Sequence, residues 1–233
     1  MLVVSGFPWE SGQKVELIDL GRPNIICDIP DFPIQVTGAV GFNSINGPTI
    51  CGGRKSDGTV TNECNNLNSD HQWESLTNMT TRRARASVTQ TNSDKVLFIG
   101  GLNEETKTEL KSIEILGSSG SYASEDLQFT IAYHCTLKIN ATTALICGGV
   151  QDGHIDSDAT WFLNLFTFKI SPGPKLQTGR QYHGCANLNL GGKNYGIIAG
   201  GWQFKPNQKF FDTTEILDLQ DLQAYNAIWK SGK

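Results

Sequence analysis

An apolar run ending in a double glycine returns along this chain at an almost fixed interval, and no other feature limits the fold so tightly. The four strong copies are Thr49-Ile50-Cys51-Gly52-Gly53, Leu97-Phe98-Ile99-Gly100-Gly101, Leu145-Ile146-Cys147-Gly148-Gly149 and Ile197-Ile198-Ala199-Gly200-Gly201. Their leading glycines stand 48, 48 and 52 residues apart, and Leu2-Val3-Val4-Ser5-Gly6 is a weaker copy at the start. A period of this length marks an array of small units, each unable to bury its own faces without a neighbour.

Other segments recur in step with the glycines. Val15-Glu16-Leu17-Ile18, Asn62-Glu63-Cys64-Asn65, Ile113-Glu114-Ile115-Leu116 and Thr214-Glu215-Ile216-Leu217 read as a following strand that carries glutamate, and Thr160-Trp161-Phe162-Leu163 fits with Trp161 in its place. Trp73 and Trp229 come later in their repeats. Met79-Thr80-Thr81-Arg82-Arg83 and Thr178-Gly179-Arg180 then open another strand. Short β-rich runs separated by turn signals, 25 glycines and no long amphipathic helical pattern give an all-β chain. Each repeat supplies four short strands, and packing such sheets around an axis buries both faces of each.

Taken together, the double glycine, the glutamate, the tryptophan and the Met-x-x-x-Arg segment resemble the Kelch family over nearly the whole chain. The Ile-Cys-Gly-Gly copies and Cys27-Asp28-Ile29-Pro30-Asp31-Phe32-Pro33 are most similar to secreted, cysteine-containing invertebrate Kelch domains. The resemblance implies a single Kelch-type β-propeller of about five four-stranded blades, at approximately 1–35, 36–80, 81–130, 131–176 and 177–233. The first blade lacks its arginine-type strand at both ends of the sequence. The expectation is either a fragment of a longer protein or an incompletely closed ring.

A formal charge of -4 and a pI near 5.6 give no basic footprint, which argues against nucleic acid as a partner. No stretch is long and apolar enough to span a membrane. Met1–Gly6 is not a signal peptide, because Trp9 and Glu10 follow the short apolar run at once; a secreted form would have lost its signal. Six cysteines and the sequons Asn78-Met79-Thr80 and Asn140-Ala141-Thr142 point to an oxidising, extracellular setting, with a cytoplasmic location as the alternative. Asn78 and Asn140 are then candidate glycosylation sites.

Cys135 and Cys147 flank the turn at Asn140–Thr142 and would stand opposite each other on adjacent strands, so a disulfide is expected there. Cys51 and Cys64 flank Asp57-Gly58 and form the second expected pair; Cys27 and Cys185 are left over. Tyr133-His134-Cys135 and Tyr182-His183-Gly184-Cys185 contain copper-ligand chemistry, and galactose oxidase is a Kelch-containing copper enzyme. Successive residues on a strand point to opposite faces, however, so these side chains do not converge. No metal, cofactor or catalytic set is expected.

The recurring glutamates are expected to act structurally, between neighbouring blades. By resemblance to intracellular Kelch adaptors, Arg83 and Arg180 are candidates for the mouth of a binding site; partnering a repeat glutamate is the competing role. The segments 101–110, 150–159 and 202–212 all follow double glycines and should emerge on one side, where Trp202, Phe204 and Phe210 are candidate contacts. The leading expectation is a non-catalytic module that binds protein or glycan. The alternatives are the substrate-recognition part of an intracellular ubiquitin-ligase adaptor and a galactose-oxidase-like remnant.

Overall fold

In the two repeats that end in Gly100-Gly101 and Gly148-Gly149 the second strand is the most buried one, as a continuous apolar run requires when both its faces are covered. Val96–Ile99 is buried at every position, and Thr143–Cys147 at all but its first. The computed structural model describes residues 2–4, 13–17, 29–103, 106, 108–124, 126–153, 155–204, 208–224 and 227–232.

Among them are four four-stranded antiparallel sheets, each with its strands in sequence order. The first blade comprises Val40–Ser44, Gly47–Cys51, Cys64–Leu67 and Trp73–Ser75. The second comprises Ser87–Gln90, Val96–Ile99, Ile113–Gly117 and Gly120–Ala123. The third comprises Cys135–Lys138, Thr143–Cys147, Thr160–Asn164 and Ile170–Pro172. The fourth comprises Gly184–Leu190, Lys193–Ala199, Thr214–Asp218 and Lys230–Gly232. The arrangement is that of a β-propeller. Four complete blades are described where about five were expected. Of the expected initial blade, the antiparallel pair Leu2–Val4 and Val15–Leu17 is described.

The core lies between blades. Alternation sends Val96 and Phe98 toward Cys51, Cys64 and Met79 on one side, and Leu97 and Ile99 toward Ile131, Ala144 and Ile146 on the other. Leu137, Leu145 and Cys147 of the third blade meet Ile198, Leu217 and Trp229 in the same way. The double glycines make this approach possible. A Cβ on Gly52, Gly100 or Gly148 would collide with the carbonyl oxygen of Arg83, Ile131 or Arg180, at the entry to the next blade. The second glycine of each pair donates its N–H to that same carbonyl, at 2.9 Å from Gly53, 2.8 Å from Gly101 and 2.8 Å from Gly149.

Among the described residues no further blade packs on the fourth. The face that the third blade buries is open in the fourth, where Leu188 and Leu190 are 38% and 56% exposed. Among the described residues no helix is long and apolar enough to cross a membrane.

Candidate binding face at the double-glycine end

Past each double glycine the chain leaves its blade and forms a short ribbon. Leu102–Asn103 pairs with Thr108–Glu109, Val150–Gln151 with Ile155–Asp156, and Trp202–Gln203 with Lys209–Phe210. Each ribbon also pairs back to the segment that enters its blade, through Thr37↔Arg54, Ala84↔Leu102, Ala132↔Val150 and Gln181↔Trp202. Because every ribbon follows the same strand end, they share one end of the ring.

The next residue in each entering segment is Gly38, Arg85, Tyr133 or Tyr182, with φ of 65°, 58°, 59° and 57°. Their backbones link blade to blade: Arg85 N–H donates to Gly38 O (2.8 Å), Tyr133 N–H to Arg85 O (2.9 Å) and Tyr182 N–H to Tyr133 O (3.1 Å). The side chains meet as well. A Cβ on Gly38 would clash with Arg85, the Tyr133 and Tyr182 rings are 4.6 Å apart, and the Arg85 guanidinium carbon lies 5.6 and 5.2 Å from them. Its Nε is buried without a hydrogen-bond partner.

The structure brings Trp202, Phe204 and Phe210 together. Trp202 lies 5.5 Å from Phe204, edge to face, and 6.2 Å from Phe210, stacked. Phe210 is 82% exposed and Phe204 41%. With Tyr182, Gly201 and Phe211, Trp202 and Phe210 line a hollow of about 550 Å³. Asp156 fixes the ledge against the neighbouring ribbon, accepting from Phe204 N–H (2.6 Å) and Gln181 Nε2 (2.8 Å). Tyr182 belongs both to this hollow and to the stack on Arg85.

Arg83 and Arg180 are not part of this face; here the structure corrects the sequence reading. Their side chains are 1% and 2% exposed, and they pair with Glu114 (2.9 Å) and Glu215 (2.7 Å). Arg83 also donates to Gly100 O at 2.7 Å, and Arg180 to Gly200 O at 3.0 Å. Each pair fastens the entering segment to the third strand of the same blade, rather than bridging two blades. Burial raises the Glu114 carboxyl, but hydrogen bonds from Ser121 and Thr80 and the Arg83 charge outweigh it and hold the group below its ordinary value. Burial lowers the Arg83 guanidinium, against the pull of Glu114. In the third blade both partners are apolar: Ile131 is fully buried and Trp161 packs on the same cluster. In the first blade Asn65, not Glu63, holds the glutamate register, opposite Ile50; Glu63 instead accepts from Lys55 Nζ at 2.8 Å in the ribbon.

The Cys51–Cys64 disulfide is present, between directly opposed residues with Cα atoms 4.1 Å apart. The expected Cys135–Cys147 bond is not. The two residues are opposite in register, yet Cys135 is bonded to Cys185 of the next blade, with Cα atoms 6.1 Å apart, and Cys147 is a free, buried thiol. Packing of the third blade's first strand on that of the fourth supplies a second neighbour that pairing within a hairpin does not reveal. Cys27 lies outside the described residues.

The histidines are also interior. His134 Nε2 is 2.7 Å from Ser87 Oγ, and His183 Nε2 is 3.1 Å from Cys147 O. Burial, with the neighbouring His183, drives His134 down to about 3. Burial, aided by the Arg180 charge and opposed by the bond to Cys147, takes His183 to about 4. Among the described residues no three His, Cys, Asp or Glu side chains form a metal-binding group. The sequon asparagines are both exposed, Asn140 on the hairpin between the first two strands of the third blade and Asn78 just after the last strand of the first.

No known family model matches the chain, and no curated protein does. Solved structures do match. One titled "Structure of YjhT" superposes with a TM-score of 0.70 over 88% of this chain and 73% of its own, at 14% identity. At that identity the likeness shows the fold alone.

Proposed function

We propose that this chain is a Kelch-type propeller domain that acts as a non-catalytic interaction module, binding a protein or glycan at the double-glycine end. The observation that carries this is the convergence of Tyr182, Trp202, Phe210 and Phe211 around one exposed hollow, with Phe204 packed against Trp202. Contiguous exposed apolar patches mark contact surfaces, and aromatic rings are frequent anchors there. Arg85 takes the role that resemblance had assigned to Arg83. It sits at the axis beside this ledge and makes no hydrogen bond or ion pair through its guanidinium among the described residues. The two disulfides are consistent with an extracellular protein, and in that setting Asn78 and Asn140 are acceptors for glycans.

The test is capture of partners from extracellular fluid and from cytosol with the wild-type chain and Phe210→Ala as parallel baits. Loss of the captured partner with an unchanged melting temperature supports the ledge. Retention by both Phe210→Ala and Trp202→Ala removes it. Capture from cytosol alone would favour the intracellular adaptor.

A further inference from the structure

Three cysteines meet at the junction of the third and fourth blades, and Cys135 has a neighbour on each side but is bonded to only one. Cys135 is bonded to Cys185 across the junction, while Cys147 stands opposite Cys135 on the adjacent strand of its own blade. Directly opposed residues on antiparallel strands share a face and have Cα atoms about 4.5–5.5 Å apart, within disulfide reach. The chain itself shows that such a pair can be bridged, since Cys51 and Cys64 are opposed in the same manner and are bonded. Cys135, Cys147 and Cys185 all belong to one apolar cluster with Leu137, Leu145 and Ile198.

We infer that Cys147 is a resolving thiol, able to exchange the inter-blade Cys135–Cys185 bond for an intra-blade Cys135–Cys147 bond and so unlatch the fourth blade. The step is an intramolecular thiol–disulfide exchange. Cys147 loses its proton to solvent, its thiolate attacks Cys135 Sγ, the Cys135–Cys185 bond breaks, and the Cys185 thiolate takes up a proton. One disulfide and one thiol are present before and after, so no external oxidant or reductant is consumed. In the folded propeller the exchange is held off, because the thiol is fully buried and burial pushes it up, away from thiolate. Opening of the fourth blade brings water to Cys147 and releases the latch. The far face of the fourth blade carries the exposed Leu188 and Leu190, and local opening is expected first where buried apolar contact is thinnest.

The experiment is disulfide mapping of the intact, unreduced chain. It is held at mildly alkaline pH in rising, sub-denaturing urea, quenched in acid, alkylated and digested. The expected result is a matched loss of alkylated Cys147 and gain of alkylated Cys185, with a Cys135–Cys147 peptide appearing and the Cys51–Cys64 peptide constant. Cys147→Ser should abolish the change, whereas Cys27→Ser should leave it intact. Alkylation of Cys147 with Cys185 still bonded at every urea concentration would overturn the inference. Disappearance of the exchange in Cys27→Ser would also overturn it, because Cys27 would then be the attacking thiol.

Discussion

Lowering the pH from about 7.5 to about 5 should destabilise this protein through two buried histidines. His134 and His183 are 6% and 7% exposed, and their folded values near 3 and 4 lie far below the ordinary 6.5. Between those limits the unfolded chain binds two protons that the folded chain refuses. Stability is therefore complete above about pH 6.5 and falls as the pH drops toward the folded values. At pH 5 each group accounts for about 2 kcal/mol and the pair for about 4 kcal/mol, at 1.36 kcal/mol per pH unit. For a domain of this size that lowers the melting temperature by about 8–16 °C. Thermal unfolding followed by tryptophan fluorescence across this range, in wild type and in His134→Gln/His183→Gln, measures it. The double variant should lose most of the slope, while stopping at pH 5 keeps most carboxylates out of the transition. An equal slope in both proteins would refute the reasoning, because the protons would then be going elsewhere.

Arg83→Ala or Glu114→Ala, by stranding one charge of a buried pair, should each destabilise by about 3–5 kcal/mol in urea unfolding; replacing both with Ile and Trp, as in the third blade, should recover much of that loss. Cys135→Ala opens a loop of sequence separation 50 and should lower stability by about 4 kcal/mol, against about 3 kcal/mol for Cys64→Ala with its separation of 13. Cys147 should resist maleimide in the native chain without reductant, with mass spectrometry as the readout. Phe210→Ala should leave unfolding within about 0.5 kcal/mol of wild type, because its ring is 82% exposed.

The repeat was legible because its marks are local. A strand that must end against the next blade's backbone needs glycine there whatever the rest of the repeat contains, so Gly52, Gly100 and Gly148 announced the blades. Register was harder. Glu63 and Asn65 are two residues apart and alternation has a period of two, so a slip between them leaves every side chain on its proper face. The disulfide partners of Cys135 could not be ranked from sequence, since one candidate neighbour comes from a hairpin and the other from blade packing. Arg83 and Arg85 also stand two apart and would share a face on a regular strand. The left-handed backbone at Arg85 sends its side chain to the axis, while Arg83 turns inward to Glu114. Loop position alone singles out Trp202, Phe204 and Phe210 as candidate contacts; that they pack on one another, and that Tyr182 joins them to the axis rather than ligating a metal, is visible only in three dimensions.

The linked left-handed residues around the axis have a consequence for how this fold can diversify. Their backbones carry the blade-to-blade bonds, so the side chains at Arg85, Tyr133 and Tyr182 can change without disturbing a β-ladder. Glycine would sit there most comfortably, yet only the first blade has it; a bulky residue in this conformation gives up about 1–2 kcal/mol. The propeller thus separates inheritance from invention. Its walls are copies of one another, and the ring of positions around its centre is a variable alphabet in which specificity can be rewritten one letter at a time.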